Sequence, residues 1–365
     1  MDAPADRDLE VPARVERLGN SHGGRFATDT AMNLNARAIS VALVLALLIG
    51  ALSTQRAEAK EMRYLTGNSA DVKSKLHGPA YHLQGGGGDV AAAMQWMIDQ
   101  VRGCTDCPAK LDVVVLRSSG EDGYNDFVYK MNGVDSVETL VIKDRADSNS
   151  AAVRETVRNA EIVFFAGGDQ CNYVRYFKGT EVERGVEHVH ARGGGVGGTS
   201  AGLAIQGDVA YDACSGGSAR TPQSLRNPYH ADISFTDDFF DWPVLRGTIT
   251  DTHFVERDRM GRLLAFIARQ LVDGKYERIL GVAVERETSL VVDERGLGRV
   301  LGKGPVYFVL GDHRPEVCAP GAPLTYSDYK IWKRASGETF DLKRRPKNGY
   351  YLVSVKEGKI LSDPY

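Results

Sequence analysis

The chain has 365 residues, 42% of them hydrophobic and 25% charged, with a net charge of −3. This is ordinary globular composition, long enough for one large domain or two smaller ones. The near-balanced charge argues against a nucleic-acid binder and says little about other partners.

Residues 1–31 are polar and charged, without helical or strand period. The stretch MNLNARAISVALVLALLIGALSTQRAEAK follows. Arg37 is a short basic region, and Ala38 to Leu52 is an apolar run shorter than the ~20 residues a membrane span needs. Ala57-Glu58-Ala59 is an A-x-A cleavage site. The stretch reads as a secretory signal peptide cut between Ala59 and Lys60, with Met32 where such a peptide would start. An uncleaved N-terminal anchor is the alternative. No cysteine follows the apolar run, which argues against a lipoprotein anchor.

Export gives the cysteines their meaning. Cys104, Cys107, Cys171, Cys214 and Cys318 are odd in number, so at least one thiol is unpaired within a monomer. Cys104-Thr-Asp-Cys107 has no second C-x-x-C to complete a zinc site. A short-loop disulfide in an oxidising compartment is expected there, against a plain pair of surface thiols.

From residue 60 helices and strands alternate. Asp89 to Val101 is an amphipathic helix with Val90, Met94, Met97 and Ile98 on one face. LDVVVLR (111–117) and ETLVI (138–142) are apolar runs of strand length. Ala151 to Asn159 is helical, EIVFFAGG (161–168) a strand, Glu181 to Ala191 a helix, and GGGVGGTS a short strand running into Ser200. Continuous apolar strands separated by helices imply a mostly parallel sheet covered on both faces. The stretch from about 209 to 246 is rich in Gly, Ser, Pro and aromatics, and reads as an excursion over the site. ILGVAVE, SLVVDE and PVYFVLG are β-rich runs, and the last forty-odd residues are a hairpin-like appendage.

In such a sheet ligands bind at the carboxyl ends of strands. Three such ends stand out: GGDQ (167–170), GGTSAG (197–202) and DTH (251–253). Ser200, with Gly198 two before and Gly202 two after, has the pattern of a nucleophile elbow. Ala201 then opens a helix whose N-terminal N–H groups and dipole favour negative charge beside the hydroxyl. His253, at the end of GTITDTHF, is the candidate base, brought within hydrogen-bond distance by adjacent strand ends. His188 and His190 face different ways on a helix, and His77, His82 and His313 lie in loop-like contexts. The backbone N–H groups of Gly168 and Ala201 are the candidate oxyanion hole, and Asp169 and Gln170 have side chains free to reach a substrate.

The motifs FFAGGDQ (164–170), GGTSAGLA (197–204) and DTHFVERDRMGRLLAF (251–266), in this order, resemble cyanophycinase and its relatives among the S51 serine peptidases, which include the aspartyl dipeptidases. GGGGDVAAAMQWMI (85–98) and SLVVDERG (289–296) are weaker matches, and the resemblance spans roughly residues 80 to 320. It implies an α/β fold: a flavodoxin-like three-layer sandwich related to class I glutamine amidotransferases. The expected layout is an N-terminal extension and signal peptide over 1–59, a catalytic domain over 60–310 and a β-rich C-terminal extension over 311–365.

The resemblance also implies Ser200 as nucleophile and His253 as base. Gln170, Asp251 and Thr252 would line the substrate site, and Arg257, Arg259 and Arg262 match arginines that follow the family's histidine. Cyanophycin, a polyaspartate with arginine joined to each side chain, offers carboxylates that guanidinium groups can grip bidentately. One departure concerns the triad acid, which the family carries between serine and histidine. Ala213 to Ala231 contains no Asp or Glu. Asp212, Asp232 and Gln223 remain the options, with Asp237 or Asp238 further away.

The expected function is an exported serine hydrolase of β-aspartyl bonds, needing no cofactor or metal. Its expected partner is a peptide or polymer substrate; no nucleic acid and no stable membrane anchor after cleavage are expected, and a homodimer is allowed for. The alternatives are an α/β-hydrolase-type esterase and an exported, weakly active or non-catalytic paralogue that binds a peptide.

Overall fold

The computed structural model describes residues 62–365. The expected signal peptide and its cut after Ala59 lie outside the described residues. The strands in chain order are β1 (Met62–Gly67), β2 (Ala80–Gln84), β3 (Leu111–Arg117), β4 (Val134–Val141), β5 (Ile162–Phe165), β6 (Gly195–Thr199), β7 (Val209–Tyr211), β8 (Phe235–Asp237) and β9 (Thr248–Asp251). They continue as β10 (Ile279–Val284), β11 (Thr288–Val292), β12 (Leu297–Gly302), β13 (Val306–Gly311), β14 (Tyr326–Arg334), β15 (Thr339–Asp341), β16 (Tyr351–Lys356) and β17 (Lys359–Ile360).

These form two mixed sheets, in an α/β arrangement. One runs β1-β4-β3-β5-β6-β2-β11-β12-β15 and the other β17-β16-β14-β13-β10-β9-β7-β8. The expected parallel sheet is the middle of the first: β4, β3, β5, β6 and β2 are parallel, and antiparallel strands flank them on both sides. In the second sheet only β7, β9 and β10 run parallel to one another.

The apolar runs explain the layering. On β3, Val113 and Val115 join Met94, Met97 and Ile98 of the helix Ala91–Arg102. Val114 and Leu116, pointing the other way, join Val153 and Val157 of the helix Ala151–Asn159 and Val182, Val186 and Val189 of the helix Glu181–Ala191. A strand covered on both faces has no polar side to alternate with. Burial of each such side chain contributes roughly 1.5–3 kcal/mol. The helices begin where side chains satisfy their first N–H groups: Ser150 Oγ accepts from Val153 N at 3.1 Å, and Thr180 Oγ1 from Val182 N at 3.3 Å.

The helix Met260–Val272 packs Leu263, Ile267 and Leu271 into a second core with Ile249 and Ile279 of the second sheet. The β-rich stretch 311–365 is woven into both sheets: β14 pairs with β13, and β15 with β12. His82, expected in a loop, is the fully buried middle of β2, its Nε2 2.9 Å from Ser289 Oγ. Among the described residues no helix is long and apolar enough to cross a membrane.

Candidate functional site

Ser200 sits between the end of β6 and a single helical turn, Ala201–Ala204. Its backbone, at φ 52° and ψ −115°, lies where a side chain is disfavoured and must be held by its surroundings. A Cβ added at Gly202 would lie 2.2 Å from the Phe165 carbonyl oxygen, so the elbow admits only glycine there. One turn is too short for the helix dipole expected beside Ser200. Individual N–H groups remain: the Ser200 carbonyl takes those of Leu203 and Ala204, leaving that of Ala201 unused by it.

His253 does not come from a strand beside β6, as adjacent strand ends would require. It follows β9, in the other sheet. The two ends converge because the turn after Ser200 packs on β9, where Thr250 Oγ1 donates to Leu203 O at 2.9 Å. The end of β2 then fixes both residues: Ser200 N donates to Gln84 O at 3.0 Å, and His253 N to Gly85 O at 2.8 Å. Gly86, at φ 103°, leaves room for the ring; a Cβ there would lie 2.2 Å from His253 Nε2. In the resulting geometry Ser200 Oγ is 3.0 Å from His253 Nε2.

The other ring nitrogen, Nδ1, is 2.8 Å from Glu256 Oε2. This corrects the expected third partner. Asp212 accepts from Cys214 N and from the hydroxyls of Ser234 and Thr236. Asp232 lies 3.5 Å from His230 Nδ1, Asp237 pairs with Lys275, and Gln223 lies on the helix Thr221–Arg226. The resemblance places the acid between the serine and the histidine, whereas Glu256 follows the histidine by three residues. The signal is present in the motif DTHFVERD, since a tight turn after a histidine brings residue i+3 back to its ring. Glu285 secures the turn by accepting the N–H groups of Val255 and Glu256.

Burial pushes the His253 pKa below its ordinary value, opposed by the hydrogen bond to Glu256. That same hydrogen bond holds the Glu256 carboxyl below the usual range. Near neutrality the pair is therefore a neutral imidazole beside a carboxylate, the state in which Nε2 can accept a proton.

A cavity of about 370 Å³ opens beside Ser200, with Gly168, Ala201, Asp169 and Gln170 in its walls. Asp169 also caps the helix Gln170–Phe177, its Oδ1 accepting from Cys171 N at 2.9 Å. The four residues Asp251, Thr252, Arg259 and Arg262 reach the cavity but largely satisfy one another. Arg262 grips Asp251 with two hydrogen bonds, one of them 2.8 Å long, and both side chains are nearly fully buried. Arg259 Nη1 donates to the Thr252 carbonyl at 2.8 Å and to its hydroxyl at 3.0 Å. Arg257 is half exposed, 4.0 Å from Glu256. Arg175, which the sequence did not single out, adds a second exposed guanidinium to the walls.

Cys104 and Cys107 form the expected disulfide. Cys171 and Cys214 form another, which ties the helix after GGDQ to the excursion over the site. Cys318 is free and buried, its thiol pushed up to about 12 by burial. Among the described residues no group of three or more His, Cys, Asp or Glu is arranged to hold a metal ion.

No family model matches the chain. It is 30% identical over 225 residues to a cyanophycinase from Trichormus variabilis, covering 60% of this chain and 69% of that one. A cyanophycinase from Nostoc sp. is 29% identical over 225 residues with the same coverage. A solved structure of a peptidase from an acI-B1 Actinobacterium covers 73% of this chain and 98% of its own, with 14% identity and a TM-score of 0.49. With this identity and coverage against the Trichormus protein, the chain belongs to the cyanophycinase family of S51 peptidases.

Proposed function

We propose that this chain is an exported serine hydrolase that cleaves β-aspartyl bonds, with cyanophycin or β-aspartyl-arginine peptides as its substrates. The observation that carries the reading is the alignment of Ser200 Oγ, His253 and Glu256 at 3.0 and 2.8 Å on a strained elbow. Ser200 Oγ attacks the β-carbonyl carbon while its proton passes to His253 Nε2. Glu256 holds the ring's orientation through Nδ1–H and stabilises the imidazolium. The carbonyl oxygen becomes an oxyanion facing the N–H groups of Ala201 and Gly168. His253 returns the proton to the departing amine, leaving an ester on Ser200. Water, deprotonated by His253, then releases the aspartyl carboxylate and restores the hydroxyl.

The substrate class follows from the cyanophycinase relatives and from the cavity's charges. Arg175 and Arg257 suit a carboxylate, and Asp169 suits a guanidinium. The non-catalytic alternative leaned on a missing triad acid, and Glu256 fills that position. The esterase alternative has no support beyond G-x-S-x-G, which this family shares. Export is favoured by the two disulfides, which persist in oxidising compartments.

Ser200→Ala, which the small elbow accommodates, should abolish hydrolysis of β-aspartyl-arginine by on the order of a millionfold while leaving the melting temperature intact. Retention of more than about a tenth of the activity would refute the nucleophile. N-terminal sequencing of the protein from the periplasm or medium should read from near Lys60; a cytoplasmic chain starting at Met1 would refute export.

The pH profile tests the acid. Neutral His253 is the active form and burial lowers its pKa, so the acid limb of kcat/KM should lie below the ~6.5 of a free histidine. Glu256 stabilises the charged ring and so opposes that shift. Glu256→Gln should therefore move the limb lower still and reduce kcat by about 10²- to 10⁴-fold. Asp212→Asn and Asp232→Asn should leave the limb in place. A limb that moves with Asp232 and not with Glu256 would overturn the assignment.

A further inference from the structure

The base sits on an irregular turn. Arg257 N donates to His253 O at 3.1 Å, Asp258 N to Val255 O at 3.0 Å, and Arg259 N to Phe254 O at 2.9 Å. Two non-glycine residues of this turn, His253 at φ 44° and Asp258 at φ 46°, have left-handed backbone. Such a turn keeps its shape only if contacts outside it hold both ends. Gly85 O and Glu285 hold the end that bears His253 and Glu256. At the other end, Asp258 to Met260, the Thr221 hydroxyl donates to the Asp258 carbonyl and Arg259 holds Thr252, and a residue more than a hundred positions away adds two further bonds.

That residue is Tyr365. Its phenol donates to Asp258 Oδ1 and accepts from Met260 N, both at 3.0 Å. Met260 opens the helix Met260–Val272, so the phenol also satisfies one of that helix's first N–H groups. The ring stands edge-on to Phe254, 6.0 Å away, and to Tyr307, 5.8 Å away. The main-chain oxygen of Tyr365 accepts from the Tyr307 hydroxyl at 3.1 Å and from Lys333 Nζ at 2.7 Å. The anchor points are therefore on β13 and β14, rigid strands of the second sheet. Burial raises the phenol well above its ordinary pKa, so it keeps the proton it donates.

We propose that Tyr365 is a positioning residue for the base. It clamps the far end of the 253–260 turn to the second sheet and so holds His253 and Glu256 in line with Ser200. The proposal rests on reading Ser200 and His253 as nucleophile and base. Tyr365 does not line the cavity beside Ser200 and bonds to neither Ser200 nor His253, so its effect passes through the turn.

The test uses the full chain, with Tyr365→Phe, Asp258→Gly and the double variant. Tyr365→Phe keeps the ring and removes both hydrogen bonds, while Asp258→Gly removes one of them from the other side at a φ glycine adopts freely. The readouts are kcat, KM, the rate of Ser200 labelling by a fluorophosphonate, and the downfield proton resonance of His253 Nδ1–H. Misalignment of a catalytic pair by a fraction of an ångström should cost about tenfold in kcat and in labelling rate, with KM within about twofold. The resonance should broaden, and the double variant should be no worse than the worse single one. Labelling and kcat within about twofold of wild type in both single variants would overturn the proposal. So would multiplying effects in the double variant, or a lower melting temperature with unchanged kcat. A wild-type chain that fluorophosphonate does not label at Ser200 would instead refute the nucleophile reading beneath it.

Discussion

Two consecutive carbonyl groups at the end of β2 hold the site together. Gln84 O takes the N–H of Ser200 and Gly85 O takes that of His253. The serine follows a strand of one sheet and the histidine a strand of the other; the Gln84 bond continues the β2–β6 ladder, while the Gly85 bond crosses to the chain after β9. Each of these hydrogen bonds is worth only about 0.5–1.5 kcal/mol to stability. Their larger effect is geometric, because they place two side chains from separate sheets 3.0 Å apart. The third residue of that run, Gly86, serves the same end by leaving its Cβ position to the imidazole.

Around this alignment the charges divide into structural and available groups. Asp251 and Arg262 form a buried, doubly hydrogen-bonded pair at the end of β9, two residues before His253. Removing one partner of such a pair commonly costs about 3–5 kcal/mol, because the other is left buried and uncompensated. Arg259 is committed to Thr252 in the same way. The arginines that follow the histidine are therefore mostly scaffold for it. The exposed guanidinium groups in the cavity walls are those of Arg257 and of Arg175. The Cys171–Cys214 disulfide joins the helix that carries Arg175 to the stretch after β7 that also lines the cavity.

Much of this was legible in the chain. LDVVVLR is apolar on both faces and is β3 residue for residue, and the helices expected over Ala151 to Asn159 and Glu181 to Ala191 have those bounds. The elbow was legible because the serine's backbone demands small neighbours. β2 was not legible: AYHLQ is five residues long, and its His82 and Gln84 are polar yet buried, so no apolar period announces it. The link between the two site residues is hidden with it, since both hang from its end. The second sheet was hidden for a related reason. Strand runs specify that a strand exists, while the partner it pairs with depends on residues far away. Glu256 lay in plain view within the histidine motif, and only the turn's conformation reveals that it folds back to the ring.

If the chain hydrolyses β-aspartyl bonds as proposed, Ser200 becomes acylated on the way. An activated β-aspartyl p-nitrophenyl ester, mixed rapidly with the enzyme and quenched, tests this directly. The expected result is a burst of nitrophenol close to one equivalent per enzyme, with an aspartyl ester mapped by mass spectrometry to the peptide containing Ser200. Turnover without a burst and without an adduct, or an adduct on any other residue, would contradict it.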